Sequence, residues 1–198
     1  RRRGFICCTP GIGTSASATS SIRTGHAPFV CLLGMGNLSI KSESQANVVL
    51  AQMAARLGQP GVAAQHKRQA EALKFAINEH LWQADKGYYG QYLYGRTALT
   101  LSPKAEALGE ALCVLFGVAE GERAQQVVSK TPTTPYGISC IYPQIPGLPA
   151  YHNDAVWPFV QSFWALAAAK VGNEASLTES MAAIYRPAAL FLTNKENF

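Results

Sequence analysis

Residues 46–82 read ANVVLAQMAARLGQPGVAAQHKRQAEALKFAINEHLW, and this segment decides the fold class of the chain. Its apolar residues recur at intervals of three and four, which is the period of a helix with one apolar face. Gly58 and Pro60 interrupt that pattern, as expected where one helix stops and the next begins. The segment therefore predicts two helices joined by a tight turn, that is, a helical hairpin.

Two more hairpins follow the first one along the chain. Ser102 and Pro103 are typical of a helix N-terminus, and Gly117 and Gly172 are typical of helix ends. The four helices of these hairpins are predicted at residues 103–117, 121–130, 155–171 and 174–192. The sequence thus predicts an all-α protein of antiparallel hairpins, which form either an α-solenoid or part of a closed toroid.

The connections between the predicted helices differ in length. Turns within hairpins are short, whereas residues 83–102 and 131–154 connect one hairpin to the next. Alternate connections of an up-and-down array lie at opposite ends, so the two long ones share an end. Loops of this length are usually functional, and these two hold seven of the eight tyrosines. They predict a ligand-binding face, unless the tyrosines only pack the loops onto the helices.

Residues 1–44 differ from the rest of the chain. They are rich in Gly, Ser and Thr and lack a helical or strand period, which predicts an irregular segment before a helical domain at residues 45–198. The net charge of +5 arises in residues 1–42, since the remainder has 12 basic and 12 acidic residues. Without a basic face on the folded part, no nucleic-acid partner is expected. The longest apolar runs are too short to span a membrane.

The cysteines and histidines do not predict a metal site. The five cysteines form no CxxC pair, and the chain contains neither an HExxH motif nor a His/Asp cluster. Cys113 lies in an apolar helical run, where a buried free thiol is expected. We therefore expect neither a metal nor another cofactor.

Two motifs resemble those of a known family. Residues 77–89, INEHLWQADKGYY, resemble the step that follows a helix in six-hairpin glycosidases, which include relatives of trehalase, α-glucosidase I and α-rhamnosidase. Residues 151–158, YHNDAVWP, resemble the element that enters a helix at the rim of the sugar pocket in those enzymes. The resemblance covers residues 45–198 and implies about half of an (α/α)6 toroid. It also implies hydrolysis of glycosidic bonds by a pair of carboxylates, with inversion, on a carbohydrate substrate.

Three carboxylates are candidates for a catalytic role. Asp154 lies in the second motif, where its alternative roles are to cap the following helix or to bind the sugar. Glu106 is predicted in the first turn of the third helix and Glu110 one turn deeper, where their alternative role is to interact with the helix dipole. The resemblance also leaves open that both catalytic acids lie outside this chain.

The substrate-binding candidates are aromatic residues and one histidine of the long connections. Trp157 offers a plane for a sugar ring to stack on, with a place in the core as the alternative, and His152 offers a hydrogen-bond donor. The predicted set is Tyr88, Tyr89, Tyr142, Tyr151, His152 and Trp157.

Two other functions fit the same pattern of helices. Sugar epimerases and polysaccharide lyases use helical toroids, and fold alone does not separate them from hydrolases. An α-solenoid would instead bind a protein partner along its inner helices, whereas the tyrosines favour binding at the loops. An open set of three hairpins would expose apolar edges, which predicts self-association into a homo-oligomer.

Overall fold

The computed structural model describes residues 36–95, 97–148, 151–193 and 195–198. Within these ranges the chain forms six helices in three consecutive pairs, which confirms the predicted all-α hairpins. Their bounds are α1 Gly36–Arg56, α2 Pro60–His80, α3 Ala107–Leu115, α4 Gly121–Lys130, α5 Pro158–Val171 and α6 Glu174–Phe191. The predicted irregular segment lies outside the described residues as far as residue 35.

The turns within the first and third hairpins lie where the sequence predicts them. Gly58 has a φ of 69°, a left-handed conformation that glycine adopts without strain, and Pro60 is the first residue of α2. Gly172 ends α5 in the same conformation. The side chain of Asn173 then accepts a hydrogen bond from the backbone N–H of Ser176 and caps α6.

The helices form an inner row and an outer row. In the inner row α3 packs between α1 and α5, while in the outer row α2 packs on α1, α4 on α3 and α5, and α6 on α5. The core lies between the rows, where burial of apolar side chains supplies the main stabilisation. Its most deeply buried members include Ile77, Val114, Val127, Trp164 and Ala167.

Two helices begin later than predicted. Helix α3 begins at Ala107 rather than after Ser102-Pro103, because the preceding residues are extended and pair with other strands. Helix α5 begins at Pro158 rather than Ala155, because the backbone N–H and C=O of Val156 both bond to Phe198. Pairing with residues distant in sequence outweighs the local helix signals in both cases.

Helix α1 begins earlier than predicted, at Gly36, so residues 36–44 of the predicted irregular segment are helical. The sequence there has no helical period because Lys41, a charged residue, is fully buried. Its ion pair with Glu110 of α3 replaces the apolar contact that the period would signal. The apolar residues that did predict α1 are largely exposed: Val49 by 42%, Leu50 by 44% and Met53 by 53%.

The long connections contain short strands that the sequence analysis did not predict. Each of three sheets is an antiparallel pair of two-residue strands. The pairs are β1 Trp82–Gln83 with β2 Tyr88–Tyr89, β3 Leu93–Tyr94 with β4 Thr100–Leu101, and β5 Ala105–Glu106 with β6 Ile141–Tyr142. Strand β5 lies just after the first long connection and β6 lies within the second. The third sheet therefore brings the two long connections together at one end.

Candidate functional site

A cavity of about 570 Å³ opens beside the second long connection. Its lining is mostly apolar, with one acidic and one basic side chain among the polar groups. The connection contributes Thr134, Tyr136, Ser139 and Asp154, and helix α6 contributes Arg186 and Leu190. Asp154 is exposed and has a φ of 53°, a left-handed conformation in which Asp is one of the few tolerated residues.

The backbone on both sides of Asp154 is fixed by hydrogen bonds. On one side, the buried Asn153 side chain bonds to the N–H of Ile145 at 2.6 Å, to its C=O at 3.1 Å, and to the C=O of Leu148 at 3.2 Å. On the other side, the C=O of Ala155 accepts from the N–H of Cys140 at 3.0 Å. The exposed carboxylate of Asp154 therefore projects from a short, well-anchored segment.

Asp154 does not cap helix α5, so the capping role considered for it is wrong. The N-cap residue is Trp157, which has an extended backbone and makes no side-chain capping bond. Three residues, 155–157, separate Asp154 from the first helical residue, Pro158, and none of them is helical. The position of Asp154 therefore needs an explanation other than helix capping.

An aromatic cluster surrounds the start of α5. Trp157 is only 5% exposed, and its indole Nε1 donates to the C=O of Tyr151 at 2.8 Å. The His152 ring stacks on the indole, with centroids 4.9 Å apart and planes 9° apart. Tyr151 meets both rings edge-on and is 48% exposed. Tyr151 and His152 thus form the accessible surface of the cluster, with Trp157 beneath them.

Glu110 lies in the interior, away from solvent. Its side chain is fully buried, and its Oε1 is 3.5 Å from the Nζ of Lys41. Its Oε2 accepts a hydrogen bond from the backbone N–H of Tyr89 at 3.0 Å. Burial raises the pKa of Glu110 to about 7, although Lys41 and the Tyr89 bond act in the opposite direction.

Glu106 is the N-cap of α3 rather than a residue of its first turn. Its Oε2 accepts from the backbone N–H of Gly109 at 2.8 Å, which satisfies one of the free N–H groups of the helix. Burial raises the pKa of Glu106, while Lys41 and bonds from the N–H groups of Gly109 and Leu108 oppose that rise. Both carboxylates near the start of α3 are therefore engaged in contacts within the protein.

The tyrosines of the long connections divide into buried and accessible ones. Tyr89 is fully buried, and its hydroxyl donates to Oδ1 of Asn78 at 2.7 Å. Tyr88 is 7% exposed, and burial raises its pKa, with smaller contributions in the same direction from Tyr142, Glu110 and Asp85. Tyr142 is half-buried. The predicted binding set therefore spans the interior as well as the surface.

The structure brings together some of the predicted site residues but not all. Tyr151, His152 and Trp157 form one cluster, and Tyr88, Tyr89 and Glu110 form another around α3. The sequence analysis missed Lys41 and Asn153, which fix these two regions. Asn153 stands within the quoted YHNDAVWP motif, whereas nothing in the sequence around Lys41 marks it as buried.

The described part of the chain has neither a metal-binding cluster nor a membrane-spanning helix. No group of three or more His, Cys, Asp or Glu side chains in the described ranges is placed to hold a metal ion. None of the helices in those ranges is long and apolar enough to cross a membrane.

The helical hairpins and their long connections fit the fold of the six-hairpin glycosidases, an (α/α)6 toroid that other enzymes share. Residues 39–195 match the family model of the mannosylglycerate hydrolase MGH1-like glycoside hydrolase domain. The match covers most of the chain, and the chain belongs to this family. The match begins six residues before the predicted domain boundary at residue 45, within helix α1.

The solved structure of neutral trehalase from Saccharomyces cerevisiae has a similar fold. The two superimpose with a TM-score of 0.65 and 13% sequence identity over 80% of this chain. The matched part is 33% of the trehalase chain, so this chain spans about a third of that protein. No curated protein matches the sequence. The hairpins thus form part of a toroid, as the sequence motifs predict.

Proposed function

We propose that this chain is part of the catalytic domain of a glycoside hydrolase and contributes Asp154 to its sugar-binding end. Membership of a glycoside hydrolase domain family supports the class of reaction, a hydrolysis of glycosidic bonds in a carbohydrate substrate. In this proposal two carboxylates act on opposite sides of the bond, with inversion. One protonates the leaving oxygen and the other activates water, at a separation of about 6.5–9.5 Å.

The observation that carries the proposal is the exposed carboxylate of Asp154 at the wall of a cavity. Hydrogen bonds of Asn153 and Ala155 anchor the backbone on both sides of this aspartate. A solvent-accessible carboxylate on an anchored backbone beside a cavity can come within hydrogen-bond reach of a bound substrate, which a general acid or base requires. Arg186 and Tyr136 of the same wall supply hydrogen-bond donors suited to sugar hydroxyl groups.

Glu106 and Glu110 are weaker candidates for the second carboxylate. Glu110 is fully buried and paired with Lys41, so it would have to lose that contact to reach a substrate. Glu106 is occupied as a helix cap. We therefore assign them supporting roles and propose that Asp154 acts with a carboxylate other than these two. Tyr151 and His152 do not line the cavity, but they are exposed and close to Asp154 in sequence, and we propose them as sugar contacts outside it. Tyr88, Tyr89 and Tyr142 are the proposed supports of the two long connections.

The test measures hydrolysis and sugar binding by the wild-type chain and by Asp154→Asn. The panel includes trehalose and mannosylglycerate, since these sugars appear in the names of the similar structure and of the family, together with aryl glycosides. Asn keeps the size and the left-handed backbone of Asp154 but cannot transfer a proton. We expect kcat to fall by about 10²–10⁴-fold while sugar binding, measured by calorimetry, persists.

Asp85→Asn provides the matched control, because Asp85 is an exposed aspartate in the first long connection. It should leave kcat unchanged. An unchanged kcat in Asp154→Asn would remove Asp154 from the mechanism. Absence of both hydrolysis and sugar binding in the folded wild-type chain would contradict the proposal for this chain as a whole.

A further inference from the structure

Three segments of the chain meet at the carboxyl group of Glu110. Helix α1 contributes the buried Lys41 ammonium group at 3.5 Å, and strand β2 contributes the backbone N–H of Tyr89 at 3.0 Å. Glu110 itself belongs to the first turn of α3. The Lys41 Nζ also lies 5.0 Å from the centre of the Tyr89 ring, so the ammonium group is close to both Glu110 and Tyr89. We call this meeting point of Lys41, Tyr89 and Glu110 the junction.

The junction fixes one side of the hairpin formed by β1 and β2, while Asn78 of α2 fixes the other. The Tyr89 hydroxyl donates to Oδ1 of Asn78, which also accepts from Arg123. Among the attachments of the hairpin, one runs through its backbone to Glu110 and another through the Tyr89 hydroxyl to Asn78. Only the first involves a carboxyl group.

We propose that Glu110 is a positioning residue whose buried contact with Lys41 and Tyr89 holds the β1–β2 hairpin in place and makes its opening depend on pH. The geometry supports this directly, because opening the hairpin breaks the Tyr89 bond and admits water to a carboxyl group that is otherwise fully buried. Tyr88 and Tyr89 of this hairpin are among the proposed supports of the long connections, and their connection to sugar binding rests on the proposed function. The pH dependence of the hairpin does not rest on it.

The sign of the pH dependence follows from the surroundings of Glu110. Burial raises its pKa to about 7, with Lys41 and the Tyr89 N–H opposing and Glu106 adding to the rise. Tyr88, Tyr89 and Cys113 are the other titratable groups that interact with it. In the open hairpin, hydrated Glu110 returns toward its usual acidic pKa. The closed state therefore binds the proton more tightly, and closing is most favourable at acidic pH and weakens as pH rises toward 7.

The experiment measures hydrogen exchange of the Tyr89 amide by NMR at several pH values between 5 and 8.5. Rates are divided by those of an unstructured peptide, which removes the intrinsic pH dependence of exchange and leaves the opening equilibrium. In the wild-type chain the opening constant should rise with pH by up to about tenfold per unit and level off above pH 7. In Glu110→Gln, which has no proton to exchange, it should stay constant.

Two further variants distinguish positioning from a general loss of stability. Tyr89→Phe removes the bond to Asn78 but keeps the backbone N–H, so opening should increase at every pH with the same pH profile as the wild type. Lys41→Met removes the charge that lowers the Glu110 pKa, so the profile should level off at higher pH. A wild-type opening constant independent of pH would overturn the proposal, as would a Lys41→Met profile that levels off at the wild-type pH. These readouts involve no sugar, so they remain informative if the proposed hydrolysis fails.

Discussion

Glu110 and Asp154 are carboxylates of the same molecule in opposite surroundings. Glu110 lies in the interior at the start of α3, where Lys41 and the Tyr89 N–H occupy its two oxygens. Asp154 lies on a cavity wall, where hydrogen bonds fix the neighbouring backbone and leave the carboxylate exposed. Polar contacts stabilise both regions. At Glu110 they are made by the carboxylate itself, whereas at Asp154 they are made by the neighbouring residues and the carboxylate stays exposed.

The two carboxylates show that an unusual property of a residue does not by itself indicate a catalytic role. The raised pKa of Glu110 has the direction expected of a catalytic acid, yet its oxygens have no access to a substrate. Asp154 has an unusual backbone conformation and an accessible carboxylate. Access, rather than the pKa alone, therefore decides which of the two is the better catalytic candidate.

The largest effect on folding is expected from Glu110→Ala. The change leaves the Lys41 ammonium group buried without its carboxylate, and breaking a buried pair in this way costs about 3–5 kcal/mol. Asp154→Asn should change the free energy of unfolding by less than about 0.5 kcal/mol, because the side chain is exposed and Asn tolerates the same backbone. Urea unfolding of both variants measures the contrast. Equal losses in the two variants would contradict the division drawn between the regions.

A smaller effect is expected from Asn153→Ala, which removes the anchor beside Asp154. The backbone N–H and C=O of Ile145 and the C=O of Leu148 lose their partner, at a cost of about 1–3 kcal/mol in the free energy of unfolding. Asn153→Asp keeps the acceptor for the Ile145 N–H but turns a carboxylate oxygen toward the C=O groups of Ile145 and Leu148, so it should lose more than Ala at neutral pH. Thermal unfolding of the pair tests the assignment, which fails if Asp is no more destabilising than Ala.

A still smaller effect is expected from Glu106→Ala, which removes the cap of α3. Loss of an N-cap side chain costs about 0.5–2 kcal/mol, and Glu106→Asp should recover part of that amount because Asp is itself a favoured cap. A calorimetric comparison of the two variants with the wild type would show the order. A Glu106→Ala variant as stable as the wild type would mean that the bond to Gly109 contributes nothing.

Much of the fold could be predicted from the sequence because helical hairpins leave a local signature. The turn at Gly58 and Pro60 and the one at Gly172 and Asn173 lie as predicted, since glycine conformation and capping depend on neighbouring residues alone. The starts of α3 and α5 were mispredicted because they depend on strand pairs with residues more than thirty positions away. No local pattern at Ser102 or Ala155 records those partners.

The site was less predictable than the fold for a related reason. The motif that contains Asp154 indicated its region, but only the backbone shows that Trp157, and not Asp154, precedes the helix. Trp157 itself proved to be covered by His152 rather than open. Lys41 was assigned to an irregular segment, because the local sequence does not indicate that this lysine is buried and paired with a carboxylate sixty-nine residues later.

The reactivity of the two buried cysteines among the described residues can report which region of the chain opens first. Cys113 is a neighbour of the Lys41–Glu110 junction, and the backbone of Cys140 bonds to Ala155 beside Asp154. Burial raises the pKa of each thiol to about 12, so neither forms the reactive thiolate in the folded chain at neutral pH. Alkylation of either cysteine therefore requires local opening of the native state. Peptide mapping after timed labelling would measure separately the rate of opening around Glu110 and around Asp154.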